Sequence, residues 1–275
     1  MSDLSPVHAF TVDLEEWYHG IELPPEAWPS TSRLEVGLDR LIALLDRHDV
    51  RATFFVLGVV AERFPRRVAE LASMGHEIGC HSYAHEFIYR QSPDDFRKDV
   101  RRARSVIGDA AGMEPRGYRA PYFSIRRDSM WALDVLAEEG FSYDSSIFPV
   151  RNDRYGIPGS PRQPYDVGEA NPRLREVPIT VLRVLGANLP FSGGAYLRIL
   201  PWSAQSVMWR AAERRGMSVV AYVHPWELDP DQPRIPLRRR VSATHYARLR
   251  LTERRLDRLL ADHRFGRADG IAGIH

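Results

Sequence analysis

The segment AFTVDL, residues Ala9–Leu14, is followed by the amphipathic segment LEVGLDRLIALLDR, residues Leu34–Arg47, and by a second apolar segment ATFFVL, residues Ala52–Leu57. In the middle segment, leucine and isoleucine recur at the spacing of one helix face, whereas the flanking segments are short and apolar. This strand–helix–strand order is typical of the repeated βα units of a parallel sheet.

The same alternation continues along the rest of the chain. Further strands are predicted at Glu77–Cys80, Gly117–Arg119, Ser142–Asp144, Glu176–Thr180 and Val219–Val223. Further helices are predicted at Ala61–Met74, Asp95–Ala111, Ser129–Glu139, Ser203–Arg215 and Thr252–Asp262. These elements favour an α/β barrel with about one βα unit fewer than the common eight, and an open doubly wound sheet is the alternative. The segment 150–201, rich in proline and glycine, is expected to be a long ordered loop insertion around one strand.

Length and composition are those of an ordinary globular protein. The 275 residues suit a single domain spanning 1–275. The net charge of +2, with arginines interleaved among acidic residues, does not indicate nucleic-acid binding. The single cysteine, Cys80, excludes an intrachain disulfide. No pattern indicates an oligomeric state.

The start of the chain and its hydropathy predict a cytoplasmic protein. Residues 1–10 lack both a basic start and an apolar run, so they do not resemble a signal peptide. No stretch approaches the roughly 18 apolar residues of a spanning helix. We therefore expect no stable membrane insertion, and at most a peripheral association with the inner membrane face.

Two groups of potential ligands follow predicted strands. The first strand continues into the acidic segment Asp13-Leu14-Glu15-Glu16, and the third continues into His81-Ser82-Tyr83-Ala84-His85. Three crowded carboxylates need a cation, a proton or an arginine to relieve their repulsion. Two imidazoles at this spacing can reach one ion, with a carboxylate as third ligand and an open position for water. Each segment alone has an ordinary explanation, as an acidic loop or a chance pair, but both lie where barrel enzymes gather catalytic residues.

Three further polar segments also end predicted strands. They are Arg119-Ala120-Pro121-Tyr122, Tyr143-Asp144-Ser145-Ser146 and Val223-His224-Pro225-Trp226. Taken singly, Arg119 fits a surface ion pair, Asp144 a turn or helix cap, and His224 a core histidine. Together the five segments predict one active site at the carboxyl ends of the strands.

In order and spacing, the five segments resemble the polysaccharide deacetylases of carbohydrate esterase family four, which share the NodB homology domain. The segments Ala52-Thr53-Phe54-Phe55-Val56-Leu57-Gly58 and Gly75-His76-Glu77-Ile78 are similar to the same family. The resemblance covers roughly Phe10 to Trp226. Within the family, the chain resembles the branch found with exosortase-linked exopolysaccharide loci, on the segments VDLEEW (12–17), DSSIFP (144–149), DRYGIP (153–158) and HPWELDP (224–230).

This resemblance implies a distorted (β/α)7 barrel and a divalent metal, commonly zinc, with Co²⁺, Ni²⁺ or Mn²⁺ as alternatives. The implied ligands are His81, His85 and a carboxylate of the acidic segment. The adjacent Asp-Asp pair of the family is replaced here by Asp13-Leu14-Glu15-Glu16. We assign Asp13 as base and Glu15 as ligand because alternate strand side chains share a face. Glu16 remains the alternative third ligand.

The resemblance also implies roles for residues outside the ligand set. Asp13, kept ionised by Arg119, would take a proton from water, and the Tyr122 backbone N–H would bind the oxyanion. His224, kept protonated with help from Asp144, would protonate the departing amine. Trp226 would form an apolar wall. Sugar contacts are expected from residues of the long insertion, namely Arg151, Arg154, Tyr155 and Tyr196.

The implied function is removal of N-acetyl groups from an amino-sugar polysaccharide or its precursor, in exopolysaccharide biosynthesis. An N-acetylated glycan is then the expected partner. One alternative is hydrolysis of small cyclic amides or ureides, as in the cofactor-independent allantoinases that the scaffold also resembles. A second alternative is a catalytically silent carbohydrate-binding relative. An open groove would favour a polymer, and a closed pocket would favour a small ring.

Overall fold

The strands and helices were identified in a computed structural model, which describes residues 7–21, 23–152, 154–167 and 174–274. The strands are β1 His8–Leu14, β2 Thr53–Val56, β3 Glu77–Cys80, β4 Gly117–Tyr118, β5 Tyr143–Asp144, β6 Tyr165–Val167, β7 Leu174–Glu176, β8 Val181–Val184, β9 Ala187–Pro190, β10 Val220–Val223 and β11 Phe265–Gly266. The helices are α1 Leu34–Arg47, α2 Gly58–Arg63, α3 Pro65–Ser73, α4 Pro93–Ala111, α5 Trp131–Glu138, α6 Gly194–Ile199, α7 Trp202–Glu213, α8 Arg239–His245, α9 Thr252–Asp262 and α10 Ala268–Ala272.

The main sheet follows the chain order of its strands. Strands β10, β1, β2, β3, β4, β5 and β7 pair in that sequence, and every pair is parallel. The order lacks the reversal that defines a doubly wound sheet. A curled sheet with seven parallel strands in the described ranges therefore confirms the predicted distorted (β/α)7 barrel.

The two ends of the parallel sheet are linked by the segment that precedes α6. Thr180 Oγ1 accepts a hydrogen bond of 2.9 Å from the backbone N–H of Val220, and Tyr222 donates its N–H to the carbonyl of Ser192 at 3.3 Å. A Cβ at Gly193 would lie 2.3 Å from the Tyr222 carbonyl oxygen, so only glycine fits this approach. The insertion thus fills the gap between β7 and β10.

Strand β1 separates the helical layer from the barrel interior. Phe10, Val12 and Leu14 are buried in the large apolar cluster that includes the α1 leucines. The alternate residues Thr11 and Asp13 face the interior instead, where both contact Arg119. Because successive strand side chains point to opposite faces, one strand supplies both core packing and a site residue.

The prediction of one continuous helix over Ala61–Met74 is wrong. It is divided into α2 and α3 at Phe64, with Pro65 at the first turn of α3. Proline has no N–H to continue the hydrogen-bond ladder and clashes with the preceding turn, so the helix restarts there.

The description of 150–201 as a loop around one strand is also wrong. The segment contains β6, β7, the hairpin β8–β9 and α6, and the predicted strand Glu176–Thr180 lies earlier, at Leu174–Glu176. These strands are only three or four residues long. Such short elements have too little periodicity to be predicted from sequence.

The described helices are too short or too polar to span a membrane. The longest of them, α4, has 19 residues and is strongly charged, with Asp94, Asp95, Arg97 and Lys98 in its first two turns. Within the described part of the chain, no helix has the length and apolar character needed to cross a bilayer.

Candidate active site

A cavity of about 570 Å³ lies at the carboxyl ends of β1, β3 and β10. Ten of the thirteen predicted site residues line it: Asp13, Glu15, His81, His85, Tyr122, Arg154, Tyr155, Tyr196, His224 and Trp226. Arg119 and Asp144 lie behind its wall. Parallel strands end at the same edge of a sheet, which brings together residues more than 200 positions apart.

Glu15, His81 and His85 form a buried cluster suited to a metal ion. One potential ligand atom from each lies within 4.8 Å of the other two. Glu15 Oε2 is 2.7 Å from His85 Nε2, yet Oε2 has no hydrogen-bond partner in the described residues. A buried carboxylate oxygen without a partner is costly, unless a cation occupies the position that it shares with the imidazoles. One carboxylate with two imidazoles is a donor set that divalent zinc accepts.

The ring orientation of His81 is set by the backbone of Arg119. His81 Nδ1 lies 2.7 Å from the Arg119 carbonyl oxygen, to which it can donate its proton. Nε2 then carries the free lone pair on the cavity side. Histidine ligands of metal ions are held in the same way, with the second ring nitrogen bonded to an acceptor.

The charges of the cluster also match those of metal ligands. Burial alone would raise the pKa of Glu15, but the nearby His85 and His224 outweigh burial and hold that pKa below its usual range. Burial lowers the pKa of His81 to about 4, against the opposing influence of Asp13. The cluster therefore offers an ionised carboxylate and a neutral imidazole, the forms that bind metals.

His81 and His85 lie in a loop after β3 and not on a helix. The segment 81–87 is a bent loop in which Ser82 (φ 66°) and His85 (φ 59°) adopt left-handed backbone conformations. Tyr122, whose ring lies 4.3 Å from that of His85, is also left-handed (φ 55°). Such conformations cost non-glycine residues about 1–3 kcal/mol each, and they concentrate at functional sites.

Glu16 is excluded from the cluster by its own contacts. Its carboxylate accepts hydrogen bonds from the Ser32 hydroxyl and, at 3.2 Å, from the Arg33 backbone N–H at the start of α1. Burial raises its pKa. Of the two glutamates that the sequence left open, Glu15 is thus the one beside the histidines.

Arg119 holds Asp13 from behind the cavity. Its guanidinium donates to Asp13 Oδ1 at 2.8 Å, to Thr11 Oγ1 at 2.7 Å and to Ser145 Oγ at 3.1 Å. Both charged side chains are almost wholly buried. A fully bonded arginine at this distance fixes the direction of the Asp13 carboxylate.

His224 is held by Glu227, three residues later in the 3₁₀ turn Pro225–Leu228. His224 Nδ1 lies 3.2 Å from Glu227 Oε1, which leaves Nε2 facing the cavity. Burial would lower the pKa of His224, but Glu15, Glu227 and Asp13 together raise it to about 9. The ring can therefore be protonated at neutral pH.

Arg198 supports Glu227 from α6. Its Nε lies 3.6 Å from Glu227 Oε1, and both side chains are only 1% exposed. The guanidinium also donates to the carbonyls of Thr244 and His245 at the end of α8, at 3.0 and 3.2 Å. Helices α6 and α8 are thus tied together over the cavity.

The predicted support of His224 by Asp144 is not formed. Asp144 accepts hydrogen bonds from the backbone and hydroxyl of Ser146, at 3.1 and 2.5 Å. It also pairs with Glu176, whose Oε1 accepts from the Ile147 N–H at 3.0 Å. Burial raises the pKa values of both carboxyl groups, and their mutual repulsion adds to the rise for Glu176. Glu227 takes the position predicted for Asp144.

The predicted sugar contacts divide into two groups. Arg154, Tyr155 and Tyr196 line the cavity, and the Tyr155 ring stacks on Phe148 at 5.5 Å. Arg151 is exposed and is not part of the cavity wall. Asp153, in the quoted DRYGIP segment, lies outside the described residues.

Three residues of the site were missed in the sequence. Arg198 and His245 lie on α6 and α8, which no periodicity indicated. Glu227 had a usable signal, because a carboxylate three residues after a histidine can reach its ring in a tight turn.

A second His/Glu cluster lies at the opposite end of the barrel and has a different character. The Glu213 carboxylate accepts from His8 Nε2 at 3.3 Å and from His263 Nδ1 at 2.7 Å. His8 Nδ1 accepts from the Val219 N–H at 3.1 Å, so its proton is on Nε2, the nitrogen that would have to bind a metal. This cluster is a hydrogen-bonded connection between β1 and α7.

The fold and this site define a class: α/β-barrel proteins with a candidate metal centre of one carboxylate and two histidines at the carboxyl ends of the strands. Comparison with protein families refines the class. Residues 34–142 match the polysaccharide deacetylases, and residues 145–272 match a domain of unknown function, DUF3473. Over residues 34–142 the chain thus matches the polysaccharide deacetylases, the family that the five segments predicted. The exosortase-linked branch stays a prediction.

Individual relatives agree with this assignment. The chain is 30% identical over 133 residues to a peptidoglycan-N-acetylglucosamine deacetylase of Bacillus cereus, a match covering 44% of this chain and 48% of the relative. It is 31% identical over 155 residues to a peptidoglycan deacetylase of Helicobacter pylori, covering 53% and 50%. The matches thus span about half the length of these relatives.

Solved structures extend the likeness in fold to the whole chain. A protein of Mycobacterium smegmatis assigned to the polysaccharide deacetylases superposes with a TM-score of 0.66 at 23% identity, covering 99% of this chain and 91% of that one. The allantoinase PuuE superposes with a TM-score of 0.62 at 17% identity, covering 100% and 91%. At these identities the likeness concerns the fold.

Proposed function

We propose that the protein is a metal-dependent hydrolase that removes N-acetyl groups from an amino-sugar polysaccharide or its precursor, in exopolysaccharide biosynthesis. The observation that carries the proposal is the Glu15–His81–His85 cluster, which opens into the same cavity as Asp13 and His224. The names of the curated relatives support the substrate class. The complete set of ligand, base and acid candidates argues against a catalytically silent relative.

A divalent cation would be held by Glu15, His81 and His85, with zinc expected for this donor set and Co²⁺, Ni²⁺ or Mn²⁺ as alternatives. When bound, it would polarise the acetyl carbonyl and lower the pKa of the attacking water.

The side chains around the cluster would carry out the proton transfers. Asp13, whose Oδ1 is held by Arg119, would accept the proton of the attacking water on Oδ2. The backbone N–H of Tyr122 would stabilise the oxyanion. His224 would donate from Nε2 to the departing sugar amine, while Glu227 holds Nδ1 and so keeps the ring aimed at the cavity.

Arg154, Tyr155 and Tyr196 would contact the glycan at the cavity wall. The volume of about 570 Å³ falls within the range of pockets for ligands much larger than one cyclic ureide. This favours a saccharide of more than one ring. A cytoplasmic location stays a prediction from the first residues of the chain and from its hydropathy.

We infer that residues 1–275 form one domain, although residues 34–142 and residues 145–272 match two different families. Strand β10, within 145–272, pairs with β1, and β7 pairs with β5. The second segment also supplies His224, Glu227 and Arg198 to the cavity. A strand lost from either segment would open the barrel.

The proposal is tested by acetate release. The zinc-loaded protein should release acetate from N-acetylated chito-oligosaccharides and leave allantoin unchanged. The reverse preference would support the cyclic ureide alternative, and binding without turnover would support a silent relative. Glu15→Gln should lose bound zinc and activity. The adjacent Glu16→Gln is the matched control, because its carboxylate caps α1, and it should keep both.

A further inference from the structure

We propose that Trp226 is a positioning residue for Glu15: its indole N–H fixes the carboxylate in the rotation that aims Oε2 at the two histidines. This inference rests on the metal centre of the proposed function. Trp226 Nε1 donates to Glu15 Oε1 at 3.0 Å, and the two side chains are 7% and 2% exposed. The sequence had indicated only an apolar wall for this tryptophan.

The hydrogen bond gives the two carboxylate oxygens of Glu15 different surroundings. Oε1 has the indole as its donor, whereas Oε2 lies 2.7 Å from His85 Nε2 and has no hydrogen-bond partner in the described residues. The terminal torsion of a glutamate side chain is broad and roughly two-fold, so the carboxylate plane has little intrinsic preference. A single buried donor on Oε1 therefore decides where Oε2 points.

The indole is itself clamped, so that it can set this direction. Its ring lies between those of His224 (5.0 Å, 19° between planes) and His245 (4.2 Å, 22°). Gln232 holds Trp226 and His245 together. Its Nε2 donates to the Trp226 carbonyl at 2.8 Å, and its Oε1 lies 2.8 Å from His245 Nε2. A Cβ at Gly20 would lie 2.9 Å from the ring, which closes the remaining side.

The clamp connects the candidate ligand to the proposed acid. His224 and Trp226 are stacked neighbours, and His224 Nε2 lies 3.7 Å from the same Oε1 that accepts the indole N–H. Hydrogen-bond donors behind a metal ligand typically change metal affinity about 10- to 100-fold when removed. We expect this range for the loss of the indole N–H.

Trp226→Phe tests the inference, because phenylalanine keeps an aromatic ring between the two histidines and removes the donor. Zinc affinity of the purified apoprotein is measured by competition with a chromogenic chelator. The variant should bind zinc about 10- to 100-fold more weakly than the wild type. Excess zinc should restore the metal content of this variant, but should not restore that of Glu15→Gln.

Trp209→Phe is the matched control. Trp209 is also fully buried and donates its indole N–H to a side chain, Gln205 Oε1 at 3.1 Å, but lies away from the cavity. It should bind zinc like the wild type. If Trp226→Phe misfolds, 3-benzothienylalanine at position 226 replaces the N–H by sulfur in a ring of the same shape.

Unchanged zinc affinity in the folded Trp226 variant would overturn the positioning role and leave the proposed function intact. A wild-type protein that binds no zinc would instead overturn the metal centre, and the inference with it. The two failures are therefore distinguishable in one titration series.

Discussion

Nε2 of His224 lies 3.8 Å from Oδ2 of Asp13, across the floor of the cavity. Each group is held from behind by a different partner, Asp13 by Arg119 and His224 by Glu227. Glu15, Glu227 and the Asp13 carboxylate together raise the pKa of His224, against the effect of burial. The proposed base and the proposed acid therefore face each other across the cavity, each held in its orientation by its own partner.

Asp13→Asn should keep the metal and lose turnover. Asparagine has the shape of aspartate but cannot accept the proton, so kcat for acetate release should fall roughly 10²–10⁴-fold. Metal content by plasma emission spectroscopy and kcat on chito-oligosaccharides are the measurements. A variant with bound metal and unchanged kcat would exclude Asp13 as the base.

His224→Ala should slow amide hydrolysis roughly 10²–10⁴-fold, the usual range for one acid or base. Activated aryl acetates leave without protonation, so their hydrolysis should suffer much less. The ratio of the two losses is measured with one enzyme preparation. Equal losses on both substrates would mean that His224 shapes the cavity instead of donating a proton.

Removal of the metal should abolish hydrolysis, and His81→Ala should remove the ion. His263→Ala is the matched control, since His263 belongs to the hydrogen-bonded cluster with Glu213 at the other end of the barrel. It should leave metal content and activity unchanged. Full activity after exhaustive chelation would contradict the mechanism, and loss of metal in His263→Ala would move the centre to the other cluster.

Glu176→Gln should stabilise the protein at neutral and alkaline pH. Burial and Asp144 raise the pKa of Glu176 well above its ordinary value of 4.5. The folded protein therefore keeps a proton that the unfolded chain releases. The stability from this group is fully present below about pH 4.5 and falls by up to about 1.4 kcal/mol per pH unit above it.

Glutamine mimics the protonated acid, because its amide can donate to Asp144 while its oxygen accepts from Ile147. The melting temperatures of the variant and the wild type should coincide near pH 4 and diverge as the pH rises, with the variant higher. A variant that melts lower than the wild type at pH 8 would contradict the raised pKa of Glu176.

Local periodicity was enough to predict much of the framework. The bounds of α1, α9 and β3 agree with the sequence prediction, because a long amphipathic helix or a short apolar strand is specified by its own residues. Asp13 lies near the end of β1 and His81 directly follows β3, so the predicted strands also gave the positions of these two residues. The short elements between 150 and 201 could not be predicted, since their pairing partners are distant in the chain.

The sequence by itself determined which chemical groups end the strands, and hence the ligand types and the resemblance to the polysaccharide deacetylases. Only the tertiary structure decided how those groups are paired: Glu15 instead of Glu16 beside the histidines, Glu227 instead of Asp144 behind His224, and Trp226 on Glu15. Periodicity depends on neighbours in sequence, whereas these contacts depend on which strand ends and loops converge in space. Side chains as far apart as Glu15 and Trp226 become neighbours only when β1 and β10 pair.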